Sequence, residues 1–130
     1  MYYNDDSVLF FDGEYVKAKD AKTDLYGQSL HYGYAVFEGI KSYKTANGAR
    51  IFKAEEHYDR LRKSAEAMMM PFSYSTEEMV ETTYKLLEMN NLGKRLYPSD
   101  CYLFTEYGTL QRPEKLPGDR SMELGQRVSC

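Results

Sequence analysis

At 130 residues, with 28% charged side chains and a net charge of −3, the chain has the length of one domain with a modest core and lacks the basic footprint of a nucleic-acid binder. No apolar run approaches the roughly 18 residues of a membrane span, and the acidic start Met1-Tyr2-Tyr3-Asn4-Asp5-Asp6 is unlike a secretory signal. Cys101 and Cys130 have neither metal-ligand nor disulfide-framework spacing, so no metal site is expected and both read as incidental thiols of a cytoplasmic protein.

In chain order, Val8-Leu9-Phe10-Phe11, Asp12-Gly13 and Glu14-Tyr15-Val16 form a β-hairpin pattern, because glycine readily takes the positive φ of a tight turn. Two more strands are expected near Val36 to Tyr43 and Arg50 to Phe52, parted by Thr45-Ala46-Asn47-Gly48 with Asn-Gly at the centre of the turn. Tyr58, Leu61, Ala65 and Met68 recur at steps of three and four, which predicts one apolar face of a helix from about Ala54 to Met69. Pro71 ends it, since proline disfavours helical geometry in the residue before it. Ser75 and Glu78 make a capping-box pair for a second helix, which carries Met79, Thr83, Leu86 and Leu87 and stops near Asn90, where Asn91 and Gly93 follow.

Beyond Leu92 the character changes. Three of the four prolines and both cysteines lie there, and from Thr109 on neither strand nor helix periodicity is sustained. Residues 1–92 are therefore read as the folded domain and 93–130 as an atypical tail, expected to be disordered.

The most informative stretch is Leu30-His31-Tyr32-Gly33-Tyr34-Ala35-Val36-Phe37-Glu38-Gly39-Ile40-Lys41-Ser42-Tyr43. Its two glycines among aromatics and β-branched residues suit a backbone approached closely by something else. They equally suit a tight turn feeding a core strand.

The segment resembles the His-Tyr-Gly-x-x-Val-Phe-Glu-Gly-Ile-[Arg/Lys]-x-Tyr signature of branched-chain aminotransferases, the fold-type IV pyridoxal-phosphate enzymes. Further matches follow in order: Phe11-Asp12-Gly13-Glu14-Tyr15-Val16, Asp20-Ala21-Lys22, Glu56-His57-Tyr58-Asp59-Arg60-Leu61 and Asn90-Asn91-Leu92. The resemblance spans about Val8 to Leu92. It implies an α+β fold, the small N-terminal domain of the family, with an antiparallel sheet and two amphipathic helices. It also implies transamination of branched-chain amino acids with 2-oxoglutarate, in an intact enzyme that is a homo-oligomer with amino-acid and 2-oxo-acid substrates. D-amino-acid aminotransferases and aminodeoxychorismate lyases share the fold and are the alternatives within it. A non-catalytic dimerising module is the alternative outside enzymology.

By the same resemblance Arg60 matches the arginine that binds the cofactor phosphate, work suited to a guanidinium whose fork meets two oxygens at once. Tyr32 and Phe37 match walls of the apolar substrate pocket, Gly39 a position of close approach, and Lys41 a place where many members have arginine. His31 reads as a structural hydrogen-bonding residue rather than a general base. The lysine that forms the Schiff base with pyridoxal phosphate belongs to the larger C-terminal domain of relatives, so no catalytic residue is assigned in this chain and the isolated chain is expected to be inactive. Relatives continue after Asn-Asn-Leu with Ala-Tyr-Ile-Arg-Pro, where this chain has Gly93-Lys94-Arg95-Leu96-Tyr97-Pro98-Ser99. Back-translation of Arg95 to Asp100, read one nucleotide later, can encode Ala-Tyr-Ile-Arg-Pro. Ser121 to Gln126 can likewise encode Ala-Trp-Asn-Trp-Gly, another family string. The tail is thus read as family sequence out of frame, with the strand that completes the sheet missing.

Overall fold

The computed structural model describes residues 4–92 in full and the backbone of Ser99–Glu106 and Gly125–Ser129. The first hairpin, β1 (Val8–Phe11) and β2 (Glu14–Lys17), turns on Asp12 and Gly13 at φ 51° and 84°. Two positive φ values make a turn whose twist matches that of the flanking strands. A short helix that the sequence reading lacked, α1 (Gln28–Tyr32), follows, and it stops at Gly33 in the left-handed region at φ 63°.

The second hairpin is longer than expected, β3 (Ala35–Thr45) and β4 (Gly48–Ile51). Its turn is also shifted. Thr45 faces Gly48 across the ladder, so Ala46 and Asn47 form the bend and Gly48 takes the positive φ of 96°. Thr45 Oγ1 accepts from the Asn47 N–H at 3.2 Å and donates to the Gly48 carbonyl at 2.8 Å, a side-chain bridge that replaces the Asn-Gly centre.

Two helices cover the sheet, α2 (Ala54–Ala67) and α3 (Thr76–Met89). Tyr58, Leu61 and Ala65 of α2 are buried as the spacing requires, but Met68 is 39% exposed because it caps the helix rather than continuing it. The Met70 N–H reaches back to the Ala65 carbonyl at 2.8 Å and the Met69 N–H to Glu66 at 2.9 Å. This double return demands a left-handed residue between helix and exit. Met69, at φ 55° and 85% exposed, fills that place without glycine's freedom. Met69→Gly is expected to raise stability by about 0.5–1 kcal/mol, because left-handed geometry penalises a Cβ and little packing is lost. A chemical-denaturation midpoint that falls instead would refute this.

α3 starts on the expected capping box. Ser75 Oγ accepts from the Glu78 N–H at 3.1 Å, and Glu78 Oε2 accepts from the Ser75 N–H at 2.7 Å. At its far end Asn90 caps α3 and docks it on β1. Its Oδ1 accepts from the Val8 N–H at 2.8 Å, and its Nδ2 donates to the carbonyls of Val8 and Leu86 at 2.9 Å each. One amide thereby supplies edge pairing to a strand and closure to a helix.

The tail departs from expectation. β5 (Ser99–Glu106) and β6 (Gly125–Ser129) are strands, and the six-stranded antiparallel sheet runs β2-β1-β6-β5-β3-β4. The strand expected to be missing is present, with β5 paired to β3 from Ala35↔Glu106 to Ser42↔Ser99. Ladder bonds are made by the backbone, so a long edge such as β3 accepts any extended partner. The run Tyr102-Leu103-Phe104-Thr105 has the aromatic and β-branched character that strands favour. The Pro-rich stretch read as disordered, Gln111 to Arg120, lies outside the described residues.

The core joins both hairpins and both helices: Phe10, Ile40, Tyr58, Leu61, Met79, Leu86, Leu87 and Leu92. Phe10 packs its ring against Tyr15 and Tyr74 at 5.3 and 5.8 Å between centroids.

Candidate functional site

The site is organised by the two-residue period of β3. Glu38, Ile40 and Ser42 are buried on the face covered by the helices, while Phe37, Gly39, Lys41 and Tyr43 are exposed on the other. Three of the expected pocket residues, Phe37, Gly39 and Lys41, thus share one face of one strand. Tyr32, 70% exposed at the end of α1, precedes them at the Gly33 turn. His31 donates from Nε2 to the Leu25 carbonyl at 2.8 Å, tying α1 to the loop before it, in keeping with its structural reading.

Arg60 lies on the opposite side of β3. Its Nε and Nη2 donate to Oε1 and Oε2 of Glu38 at 2.5 and 2.6 Å, a two-pronged pairing. His57, one helical turn earlier, brings Nδ1 within 2.8 Å of Glu38 Oε2. An ionised carboxylate only accepts, so Nδ1 carries a hydrogen. The 3.4 Å between Arg60 Nη2 and His57 Nδ1 then joins two donors crowded on one oxygen and is not a bond. The Glu38 side chain is 5% exposed and that of Arg60 66%. A buried anion thus holds a guanidinium that is open to solvent.

Three features of α2 produce this arrangement. The His57–Arg60 spacing of one turn aims both at the same place. Tyr58 and Leu61, each one residue further along, turn to the core side and are fully buried. Tyr58 is locked to α3, and the direction of the lock follows from its neighbour. Thr83 Oγ1 donates to the Met79 carbonyl at 2.9 Å and therefore accepts from the Tyr58 hydroxyl. Burial pushes the Tyr58 phenol up to about 12, with the Thr83 hydrogen bond opposing.

The hydrogen bond from Arg60 is the largest influence on Glu38 and holds its carboxyl below the ordinary 4.5, outweighing burial with help from His57. The same pairing raises the Arg60 guanidinium above its ordinary value. A carboxyl with a lowered folded-state pKa stabilises the fold fully above the unfolded value and loses that contribution as pH falls through the folded one. Urea midpoints measured from about pH 6 down to about pH 3 should therefore fall more steeply in the unaltered chain than in Glu38→Gln. Parallel profiles would exclude the linkage.

Glu38 and His57 carry this geometry, yet sequence reasoning gave neither a role. The available signals were an acid amid strand residues of a core-facing pattern and a His-x-x-Arg spacing on the predicted helix. A shallow depression of about 670 Å³ beside β4 and α3, lined by residues such as Ala49, Tyr84 and Lys85, holds none of the expected site residues. Among the described residues no His, Cys, Asp or Glu group is placed to hold a metal ion, and no helix is long and apolar enough to cross a membrane.

The sequence matches the amino-transferase class IV family over residues 35–112, more than half of its length. The chain belongs to the class IV aminotransferases. As a class IV aminotransferase chain it is 44% identical over 87 residues to the branched-chain-amino-acid aminotransferase of Pseudomonas aeruginosa, covering 67% of this chain and 28% of that protein. With the enzyme of the same description from Escherichia coli strain K12 the identity is 39% over 84 residues, covering 65% of this chain and 27% of that protein. The crystal structure of the Escherichia coli branched-chain amino acid aminotransferase superposes with a TM-score of 0.74 at 28% identity, over 95% of this chain and 38% of that one. A branched-chain amino acid aminotransferase from T.th., complexed with N-(5'-phosphopyridoxyl)-L-glutamate, gives 0.72 at 27% identity, over 95% and 39% of the respective chains. The class IV fold is thus the one seen here. This chain spans less than a third of the length of the curated relatives it matches.

Proposed function

We propose that the chain forms the small-domain part of a pyridoxal-phosphate-dependent aminotransferase that moves amino groups between branched-chain amino acids and 2-oxoglutarate. The observation that carries the reading is the forked Arg60–Glu38 pair, which presents a solvent-open guanidinium at the position of the family's phosphate-binding arginine. The names of its relatives support the branched-chain assignment, and the phosphopyridoxyl-glutamate complex of one structural neighbour supports the cofactor class. The residues fit the phosphate end of that cofactor. A guanidinium has five N–H donors, and two bonds to Glu38 leave the others for an oxyanion.

In this reading Arg60 grips the phosphate, while Tyr32 and Phe37 offer exposed aromatic surface to an aliphatic side chain. Gly39, having no side chain, lets substrate lie close to β3, and Lys41 adds a positive charge two residues further along the same face. Pyridoxal phosphate, when bound, supplies the electron sink. The Schiff-base lysine of the family matches no residue of this chain, and the intact enzyme is proposed to be a homo-oligomer. The out-of-frame origin of the tail belongs to the same proposal and rests on the back-translated family strings alone, since the class IV match itself runs on to residue 112. Coding DNA whose shifted frame does not spell Ala-Tyr-Ile-Arg-Pro after Leu92 would dispose of it.

Titrating pyridoxal phosphate into the chain and into Arg60→Ala, followed by cofactor absorbance and by equilibrium dialysis, tests the reading. Loss of the arginine is expected to weaken binding about tenfold or more, the worth of a charge-assisted hydrogen bond. Equal affinity in the two proteins would sink the assignment of Arg60.

A further inference from the structure

We propose that Glu38 is a positioning residue, a buried clamp that sets the guanidinium of Arg60 in the one orientation from which it receives a phosphate. The proposal rests on the reading of Arg60 given above. Arginine's long stem otherwise samples many rotamers, and the Arg60 side chain is mostly in solvent. Glu38 removes that freedom from the side of Nε and Nη2, the two atoms it engages. The planar group is thereby turned so that Nη1 faces away from the carboxylate. His57 donates to the same Oε2 at 2.8 Å, a second tie that resists the carboxylate swinging with the arginine. Glu38 is itself buried, so it acts on a ligand through Arg60 and not by direct contact.

Positioning and electrostatics make opposite predictions here. Removing an anion beside a phosphate site tightens binding if charge alone matters. It weakens binding if the anion's work is to orient the arginine.

The full chain labelled with ¹⁵N in its arginines provides the test. Arg60→Ala identifies the Arg60 Nε–Hε signal by its disappearance. Pyridoxal phosphate is then titrated into the unaltered chain, Glu38→Gln and Arg60→Ala, each below its own unfolding midpoint. Leu86→Ala, a core change remote from the clamp, controls for lost stability. The expected result is that Glu38→Gln, which keeps one acceptor oxygen but loses the charged fork, shifts the Arg60 signal away from that of the carboxylate-paired guanidinium and weakens binding about tenfold, while Leu86→Ala leaves both unchanged. Glu38→Gln binding as tightly as the unaltered chain, or more tightly, overturns the clamp, as does an unmoved Arg60 signal. An equal loss in Leu86→Ala shows a merely structural effect and also overturns it. Unchanged binding in Arg60→Ala would instead remove the phosphate reading beneath the proposal. That result differs from one in which only the Glu38 variant keeps full affinity.

Discussion

Ile40→Ala is expected to destabilise the fold by about 2–5 kcal/mol, the range for truncating a large aliphatic side chain in a packed core. Ile40 has no exposed surface and lies in β3 between the buried Glu38 and Ser42, within the cluster that includes Tyr58, Leu61 and Leu86. It is held from the helices and by β5, where Cys101 stands opposite it, while the β4 ladder begins two residues on at Ser42. The strand cannot relax into the void without breaking a ladder, so the cavity term should persist. In a chain of this length the melting temperature should drop by about 10 °C or more. A fall of only a degree or two would mean that the helix-covered face is not close-packed.

Asn90→Ala should be the most damaging polar change, at about 2–3 kcal/mol. The side chain makes three hydrogen bonds, to the Val8 N–H and to the carbonyls of Val8 and Leu86. Each is worth about 1 kcal/mol, and more where a partly buried backbone group loses its partner. Asn90→Asp sharpens the prediction. Aspartate keeps an acceptor for the Val8 N–H but puts negative charge against two carbonyl oxygens. At neutral pH it should therefore be no more stable than the alanine variant. In mild acid, where the new carboxyl gains a proton and becomes a donor, it should recover. Urea midpoints for both variants at two pH values decide this, and full stability of Asn90→Asp at neutral pH would contradict the arrangement.

Local rules were the most legible part of this sequence. Asp12-Gly13 and the Ser75/Glu78 pair encode their geometry within four residues, and both elements formed where expected. The alternation that placed Phe37, Gly39 and Lys41 on one face was likewise available from β3 alone. Long-range devices were not. The Glu38 clamp joins a strand to a helix across 22 positions, and nothing near Glu38 announces its partner. β5 and β6 gain their order from edges supplied by β3 and β1, which lie far from them in the sequence. Met68 missed the core because a left-handed exit at Met69 ended α2 before the helical period could place it.

The alternation of β3 also shapes how this strand can evolve. Each even position from 38 to 42 answers to the interior and each odd position from 37 to 43 to whatever lies outside, so single substitutions divide into those that alter folding and those that alter recognition. Inserting or deleting one residue allows no such division. It would drive Lys41 inward and Ile40 outward in one step, and lineages carrying this strand should tolerate exchanges of letters along it but no change in their number.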